Sequence, residues 1–528
     1  MLSALFVTAG AGTRADELGP TTRPVIEQAA SDKRPRLALV GFTADPNGDP
    51  RDAWIPVALE ELAARRLQRV SGVLVVPTIR LHQGRRELSD STQAPAWPDV
   101  ARGLGATHLV ACECRGPDNA VSLSVALRLL DRPDAAGPQT ALPPGRLYEA
   151  LDALTRWLLE QLAVPALPEP LAGQVFAPPS RSVAAVEYFA RAVGAARADQ
   201  LGEALRCATE AVDYDRRFRP ALGLLAQLES QMGPAGRGSA LRRWLALGDY
   251  ARFEDDPFDR IRAEIGQCLL LQADGAFEAA RTRAETALLL AEAQREPYGQ
   301  IVAVTALCDL YLLRPMPTDP AASAEARRQF ALDSGRKAAA WQELLVRLLE
   351  TMGDVVGALP ATNKLALIYE RIERPEDALA LHRRTLALAE QLKSQPHQAT
   401  AWLYVGQWYR QQQRWPEALD ALGRCLALAD EAAKPAVRMA LGAVYHAMEL
   451  PAESLGQYEQ AYEQIRKTED LPNQLACLRE IAEARMKLGR RDKAIAALEE
   501  AVDLAHALEL RDEQRLREQL DRWKTGGT

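Results

Sequence analysis

The spacing of hydrophobic residues divides this chain into two regions. Up to about residue 164, short apolar runs of the kind that form strands alternate with segments that repeat apolar residues at helical spacing. Strands are predicted for "RLALVGF" (36–42), "GVLVVP" (72–77), "THLVACEC" (107–114) and "AVSLSVALRLLD" (120–131). Helices are predicted for residues 53–70, 97–104 and 146–163. The order β-α-β-α-β-β-α indicates that residues 35–164 form a small α/β (α+β) domain.

A proline-rich stretch at 165–182 separates this domain from the rest of the chain. It holds Pro165, Pro168, Pro170, Pro178 and Pro179, and such a density of proline predicts a linker. Beyond it the strand patterns end, and helical periodicity continues to the last residues. The second region is therefore predicted to be all-α.

The helical region repeats itself. Four copies align on a first-helix aromatic position that is occupied by Tyr369, Tyr409, Tyr445 and, in the last copy, Arg485, at intervals of 40, 36 and 40 residues. Nine residues later each copy has a small residue that opens a second helix. One such pair of helices cannot bury its apolar stripe alone, so neighbouring pairs are expected to stack.

These positions resemble the tetratricopeptide repeat. The copy Trp402-x3-Gly406-x2-Tyr409…Ala418…Leu422 matches that pattern almost completely, and looser copies precede it. The resemblance covers about 183–510 and implies a superhelical solenoid of about seven repeats. The charged segment at 511–528 is predicted to be a solvent-facing capping helix and tail.

Residues 35–164 resemble a TolB amino-terminal-like domain. The resemblance rests on the opening "RPRLALVGF", on the run "GVLVVP", and on "VARGLGATHLVACECRG", which corresponds to a short helix that leads into a strand. The chain departs from that family's pattern at Gly41, where proline is usual, and at Cys112 and Cys114. In bacteria such domains often precede tetratricopeptide arrays, in envelope proteins and in regulators.

Composition and charge exclude several classes of partner. The net charge is −7, and acidic and basic residues are mixed along the 528-residue chain, so a nucleic-acid partner is not expected. No apolar run is long enough to span a bilayer. The start, residues 1–34, is either a truncated secretory signal or a flexible N-terminus. The first interpretation favours the periplasm or cell envelope over the cytoplasm.

The segment "GATHLVACEC" (105–114) holds the only clustered metal-type ligands. On a strand, His108 and Cys112 would lie roughly 13 Å apart, which is too far for one ion. The spacing Cys-x-Cys also differs from the Cys-x-x-Cys of redox and zinc motifs. Buried structural thiols are therefore expected at Cys112 and Cys114, with no metal and no cofactor. A metalloprotein that uses this cysteine pair remains an alternative.

The groove of a tetratricopeptide array is lined by its first helices. The resemblance implies that the groove positions of this chain are Asn363, Arg371, Gln407, Arg410, His446, Arg479 and Lys487. Three arginines and a lysine in one groove would suit an acidic or C-terminal peptide. The tryptophans Trp408 and Trp415 are candidates for an aromatic contact surface, whereas Trp402 occupies a core position of the repeat.

No catalytic motif accompanies these features, so an enzyme is not expected. The sequence predicts a bacterial scaffold or adaptor that binds a protein or peptide partner through the concave groove, within a larger, envelope-associated complex. One alternative is a regulatory or sensor module that acts with a separate effector, such as a nucleotide cyclase, a kinase or a transcription regulator. The partner's identity and the oligomeric state do not follow from the sequence.

Overall fold

A computed structural model describes residues 29, 31–89, 95–132, 137–316, 323–468, 470–508 and 513–525 of the chain. The hypothesis of a signal-peptide remnant falls mostly on residues outside these ranges. The internal contacts divide the chain into two compact units, one that ends at Ile372 and one that begins at Glu373. The small α/β region and the helical array that the sequence predicts are both present.

One mixed sheet of five strands forms the frame of the α/β region. Its strands are β1 (Arg36–Ala44), β2 (Leu74–Val75), β3 (His108–Arg115), β4 (Val121–Leu129) and β5 (Gln139–Gly145). Their spatial order is β2-β1-β3-β4-β5, with β1 parallel to β2 and β3, and with antiparallel pairs after that. Strand β3 is therefore central, and both of its edges are paired.

Four helices pack with this sheet. They are α1 (Trp54–Gln68), α2 (Thr78–Glu87), α3 (Trp97–Gly103) and α4 (Leu147–Gln161). The stripe of Ile55, Leu59 and Leu62 on α1 is buried, as its helical spacing predicts, and it shares a core with Leu39 and Val110 of the sheet.

Two elements of this region differ from the sequence prediction. The segment "TIRLHQGRRE" forms α2, so His82 lies on a helix and not in a loop. The segment "QTALPPG" forms β5 although it contains Pro143 and Pro144. Proline is tolerated there because β5 is an edge strand, where one side of the backbone needs no ladder partner.

The helices of the first unit continue from residue 171. They are α5 (Leu171–Phe176), α6 (Val183–Arg197), α7 (Leu201–Tyr214), α8 (Arg219–Gln231), α9 (Arg237–Phe253), α10 (Pro257–Ala273), α11 (Phe277–Ala293), α12 (Pro297–Leu312), α13 (Ala324–Met352) and α14 (Val355–Arg371). Helix α5 lies within the stretch predicted to be a linker. Val175 of α5 is fully buried in the same core as the sheet, so part of this stretch is packed.

The second unit consists of helices throughout its described residues. They are α15 (Pro375–Gln391), α16 (Gln395–Gln411), α17 (Trp415–Leu428), α18 (Lys434–Ala447), α19 (Pro451–Ile465), α20 (Leu471–Lys487), α21 (Arg491–Ala507) and α22 (Glu513–Thr525). First helices α16, α18 and α20 alternate with second helices α17, α19 and α21. Many of these helices carry proline in the first turn, where its missing N–H costs no hydrogen bond.

Small residues let the two helices of a repeat approach closely. A Cβ added to Gly406 would lie 2.7 Å from Leu422 Cγ, and one added to Gly442 would lie 2.9 Å from the Tyr458 ring. Cys268 and Cys308 occupy the equivalent position in the first unit and are fully buried. These cysteines are packing residues, as the alignment of the repeats predicts.

The tryptophans are arranged differently from the prediction. Trp408 is buried, and its Nε1 donates a hydrogen bond to the carbonyl of Pro375 at 2.8 Å, so it offers no contact surface. Trp402, expected in the core, is half-buried, and the Arg424 guanidinium lies 4.9 Å from its ring centroid. Trp415 is half-buried beside Ala418 and Leu422. An aromatic surface formed by Trp408 and Trp415 is therefore not present.

Within the first unit, charged side chains of α1 contact the repeats. Arg69 donates to Asp256 at 2.6 Å, and Arg219 donates to the same carboxylate at 2.9 Å. Asp256 also caps α10, because it accepts hydrogen bonds from the backbone N–H groups of Phe258 and Asp259. Unlike most helix caps, which face solvent, this carboxylate is buried between two arginines.

A second ionic contact lies further along α1. Glu60 and Glu61 both accept hydrogen bonds from Arg197 of α6, at 2.6 and 2.8 Å. Thr78 also donates to Glu61 at 2.6 Å. Burial alone would raise the pKa of Glu61, but Arg197 and Arg65 outweigh it and hold that pKa below its usual value. The α/β region is thus joined to the first repeats by buried ion pairs.

A backbone contact joins the same two parts near Gly105. Gly105 has a φ of +75°, and a Cβ at this residue would lie 2.2 Å from the Met352 carbonyl oxygen. Its neighbour Leu104 forms an isolated antiparallel bridge with Asp354. Only glycine fits this position, since both the backbone conformation and the space exclude a side chain.

Candidate partner-binding site

The cysteine pair of β3 lies in the core of the α/β region. Cys112 and Cys114 are 2% and 4% exposed, and their Sγ atoms are 3.9 Å apart. The hydrogen bond with Cys112 and then burial raise the pKa of the Cys114 thiol, which keeps it protonated. Both cysteines are therefore buried, as a core-facing strand requires.

His108 does not complete a metal site with this pair. It is half-buried at the start of β3, and its Nδ1 lies 2.8 Å from the Thr107 hydroxyl. Burial lowers the pKa of His108. Among the described residues, no third metal-type side chain comes within reach of Cys112 and Cys114, since the one group of three or more such ligands lies elsewhere.

The seven predicted groove residues lie on four first helices. Asn363 and Arg371 are on α14 of the first unit, Gln407 and Arg410 on α16, His446 on α18, and Arg479 and Lys487 on α20. The last five belong to the second unit. Each position thus lies on the helix that the resemblance implies.

The two positions of the first unit differ in exposure. Arg371 is exposed and makes no hydrogen bond or ion pair with a described residue. Asn363 is half-buried, and its Oδ1 is enclosed without a hydrogen-bond donor among the described residues. Such an unsatisfied buried acceptor costs free energy, which a ligand's donor would recover.

In the second unit, His446 links a predicted lysine to the carboxylate of Glu480. Lys487 Nζ lies 3.0 Å from His446 Nε2, and His446 Nδ1 lies 3.8 Å from a carboxylate oxygen of Glu480. The Tyr458 hydroxyl donates to Glu480, and the positive charge of Arg410 acts on the same hydroxyl. Burial and then Glu480 raise the pKa of Tyr458. His446 therefore lies between Lys487 and Glu480, and the charge of Arg410 acts on the Tyr458 hydroxyl beside that carboxylate.

Two acidic residues of this group were missed in the sequence. Glu480 and Glu483 lie on α20 among the predicted cations, so the groove surface carries both signs of charge. The alignment of repeats contained a signal for one of them. Glu483 follows the close-packing residue Ala482 just as Gln407 follows Gly406. No pattern in the sequence points to Glu480.

His446, Glu480 and Glu483 could in principle hold a divalent cation. Their ligand atoms all lie within 4.8 Å of one another. However, the Lys487 ammonium lies against His446 Nε2 and already supplies positive charge to this group. The arrangement is therefore best described as an ion-pair network on the face of the first helices.

Two concave regions lie near these residues. One has a volume of about 180 Å³ and is lined by Arg479, Glu483, Arg515, Leu516, Gln519 and Arg522. The other has a volume of about 710 Å³ and includes Arg438, Glu459, Tyr462, Arg485 and Glu500. In the larger one, Arg485 pairs with Glu459 at 2.9 Å. In the smaller one, arginine predominates.

Two first-helix arginines of this unit differ from most others in having no partner. The guanidinium groups of Arg410 and Arg479 are half-buried and make no hydrogen bond or ion pair with any residue that the structure describes, whereas Arg485, also on a first helix, pairs with Glu459. Arg424 and Arg466, at second helices, pair with the neighbouring carboxylates Asp420 and Glu463 at 3.0 and 2.7 Å. The first-helix face thus presents guanidinium groups that are free to bind an anion.

Comparison with known proteins identifies the repeats. A family model described as tetratricopeptide repeat matches residues 358–431 and 435–507. No curated protein matches the chain. The match covers only the helical region, and the resemblance of residues 35–164 to a TolB amino-terminal-like domain stays a prediction.

Several solved structures are similar to parts of the chain. A signal transduction ATPase (STAND) protein with a tetratricopeptide repeat sensor, from Pyrococcus horikoshii, is 13% identical with a TM-score of 0.45, covering 71% of this chain and 56% of that one. The apo form of RapI is 12% identical with a TM-score of 0.42, covering 65% and 99%. BtubC from P. vanneervenii is 19% identical with a TM-score of 0.34, covering 42% and 89%.

No helix in the described part of the chain is both long and apolar enough to cross a bilayer. A tetratricopeptide solenoid is consistent with a protein-interaction scaffold or with a sensor. The chain carries tetratricopeptide repeats over residues 358–431 and 435–507, behind a small α/β region with a five-stranded sheet.

Proposed function

We propose that this chain is a non-enzymatic scaffold or adaptor that binds an acidic segment of a protein partner along the first helices of its second unit. The binding residues are Gln407, Arg410, His446, Arg479 and Lys487. The α/β region, joined to the first repeats by buried ion pairs, serves as a second, rigid attachment surface for a larger complex.

One observation carries this proposal, namely two unpaired arginines on the first helices. Arg410 and Arg479 are half-buried and lack a partner within the described residues, while second-helix arginines such as Arg424 are paired. A partly desolvated guanidinium gains more from a carboxylate than a fully hydrated one does. A partner's aspartate or glutamate side chains would supply what these groups lack.

The acidic residues of the groove restrict the partner further. Glu480 is held by Tyr458 and faces His446, so it neutralises part of the charge near Lys487. A uniformly acidic peptide would be repelled at Glu480 and Glu483. The groove therefore suits a segment in which acidic residues alternate with hydrogen-bond donors or a basic residue.

The experiment is quantitative affinity capture with the intact chain and with an Arg410→Ala, Arg479→Ala, Lys487→Ala variant. The matched control is an Arg424→Ala, Arg466→Ala, Arg517→Ala variant, which removes the same charge from arginines that are exposed and already paired. We expect the groove variant to retain less than about a tenth of the partner, because several charge-assisted hydrogen bonds are lost. The control variant should retain most of it.

Two results would contradict the proposal. One is that the intact chain retains no protein. The other is that the groove variant and the control variant retain the same partners in the same amounts, which would mean that binding follows net charge or another surface.

A further inference from the structure

The last helix of the chain occupies the position of a further first helix. Glu518 follows the close-packing residue Ala482 by 36 residues, the same interval that separates Gly406 from Gly442. Leu516, Leu520 and Trp523 of α22 are buried in one core with Ala497 and Ala501 of α21. Helix α22 thus packs on the last second helix, α21, although Glu518 at the close-packing position is exposed.

The outer face of α22 continues the row of binding positions. Arg515, Gln519 and Arg522 recur at intervals of four and three residues, so they lie on one side of the helix. Together with Arg479 and Glu483 of α20 they line the cavity of about 180 Å³. Buried Leu516 contributes an apolar wall.

The charge of this cavity is unbalanced. Three arginines and one glutamate line it, which leaves an excess of two positive charges. Arg479 and Arg515 make no hydrogen bond or ion pair with a described residue, and Arg522 donates only to the Glu518 carbonyl at 3.4 Å. Other basic residues of α22 are paired, since Arg517 contacts Glu513 and Lys524 contacts Glu499.

We propose that this cavity is an anion subsite that binds a carboxylate of the partner. The inference rests on the proposed function, because it takes the occupant to be part of the same acidic segment. The forked guanidinium groups of Arg515 and Arg522 hold the carboxylate oxygens from α22, and Arg479 approaches from α20. The capping helix is then a part of the binding surface.

Glu483 favours a carboxylate over a phosphate in this subsite. A dianionic phosphate would be repelled by the Glu483 carboxylate more strongly than a singly charged carboxylate is. Glu483 can instead accept a hydrogen bond from an amide N–H of the partner backbone, next to the bound carboxylate. The carboxylate comes either from the partner's C-terminus or from an aspartate or glutamate side chain.

The test uses fluorescence anisotropy of a labelled Glu-Ser-Glu-Ser-Glu-Ser-Glu peptide with the full chain at low salt. An Arg515→Gln, Arg522→Gln variant is compared with an Arg517→Gln, Lys524→Gln variant, which removes the same charge from the paired side chains of α22. We expect the first variant to bind about tenfold more weakly and the second no more than about twofold more weakly. Equal loss in both variants, or none in the first, would overturn the inference.

Three further measurements distinguish the possible sources of the carboxylate and distinguish this inference from the proposed function. An amidated peptide that binds about tenfold more weakly assigns the subsite to a C-terminal carboxylate, and unchanged binding assigns it to a side chain. Inorganic phosphate that displaces the peptide better than acetate does would overturn the preference for carboxylate. An Arg410→Ala, Lys487→Ala variant tests the proposed function alone. If this variant binds the peptide more weakly but the Arg515→Gln, Arg522→Gln variant does not, the groove proposal stands and the subsite is overturned. A peptide that does not bind the intact chain overturns the inference.

Discussion

Two pairs of arginines, one pair in each unit of this protein, have opposite surroundings. In the first unit, Arg69 and Arg219 meet at the buried carboxylate of Asp256, at 2.6 and 2.9 Å. In the second, Arg410 and Arg479 stay half-buried without a partner among the described residues. A paired and buried guanidinium fixes the position of two packed elements, whereas an unpaired one at the surface is available to a ligand. The difference suggests that the first unit is built for rigidity and the second for binding.

The largest expected effect is on the first unit, from Asp256→Ala. The change removes the closest counter-charge of two half-buried arginines and the cap of α10, while Arg219 keeps its contacts with Glu254 and Asp259. We therefore expect a loss of about 3–4 kcal/mol in the local free energy of unfolding. Hydrogen-exchange mass spectrometry should show faster exchange in α1 and α10 and unchanged exchange in α16–α21. Asp249→Ala is the control, because that exposed carboxylate contacts only Arg252 of its own helix.

The same carboxylate gives a pH dependence. Burial would raise the pKa of Asp256, but Arg69 and Arg219 outweigh it and hold the pKa below the usual value of 3.8. The stabilisation is therefore present above pH 3.8 and is lost as pH falls through the lower folded pKa. If Asp256→Ala were as stable as the intact chain at pH 7, the ion pairs would not hold the first unit together.

A somewhat smaller effect is expected from Glu296→Gln, also in the first unit. Glu296 is half-buried just before α12 and accepts a hydrogen bond from the Gly299 N–H, and partial burial raises its pKa to about 7. The folded chain keeps this proton while the unfolded chain loses it near pH 4.5, so stability falls as pH rises from 4.5 to 7 and is level above that. Glutamine stays neutral at every pH. The free energy of unfolding of the variant should therefore exceed that of the intact chain by an amount that grows to about 3 kcal/mol between pH 5 and pH 8.

The measurement for Glu296→Gln is urea denaturation of both chains at several pH values. Glu278→Gln, an exposed residue paired with Arg281, controls for the general loss of a carboxylate. If the free energy of unfolding changes with pH in the same way for the intact chain and for Glu296→Gln, then Glu296 does not titrate in this range.

The packing of the second unit can be tested without changing any charge. In Gly406→Ala the new Cβ would lie 2.7 Å from Leu422 Cγ. We therefore expect the free energy of unfolding to fall by about 1–3 kcal/mol. In Gly423→Ala, on α17 of the same repeat, nothing lies within 4 Å of the new Cβ, and the better helix propensity should stabilise by up to about 1 kcal/mol. Urea denaturation that shifts in the same direction for both variants would contradict the close-packing account of the repeats.

The smallest effect is expected for the cysteines, which should be nearly inert in the folded chain. All seven are buried, and burial raises the pKa of the Cys268 and Cys425 thiols to about 11. A thiol-disulfide reagent at pH 8 should therefore react slowly with the native protein and with all seven thiols after unfolding in guanidinium. Rapid reaction of two native thiols, lost in Cys112→Ser with Cys114→Ser, would revive the alternative of an active cysteine pair.

The fold was largely predictable because its signals are local. The interval of 36–40 residues and the helical period identify the repeats, and apolar runs identify β1, β3 and β4. Helix α2 was missed because "TIRLHQGRRE" is mostly polar, and β5 because prolines argue against a strand. These two elements depend on tertiary contacts that no local pattern records.

The helices that carry the candidate residues were predictable, but the charges around those residues were not. The alignment of repeats places Arg410, His446 and Lys487 on first helices, yet the contacts of His446 with Lys487 and Glu480 follow from how α18 and α20 pack. The ion pair of Arg69 with Asp256 joins residues 187 positions apart, and neither sequence segment indicates the other. The sequence alone therefore does not predict which charged residues pair over long distances in the chain.

The central claim is that the first-helix face of the second unit binds the partner, and site-specific photo-crosslinking tests it most directly. A benzoylphenylalanine is placed at Gln407 on first helix α16 or, in a matched chain, at exposed Gly423 on second helix α17. The account predicts that the partner retained by the intact chain crosslinks at Gln407 and not at Gly423. Crosslinking at Gly423 with none at Gln407 would contradict it.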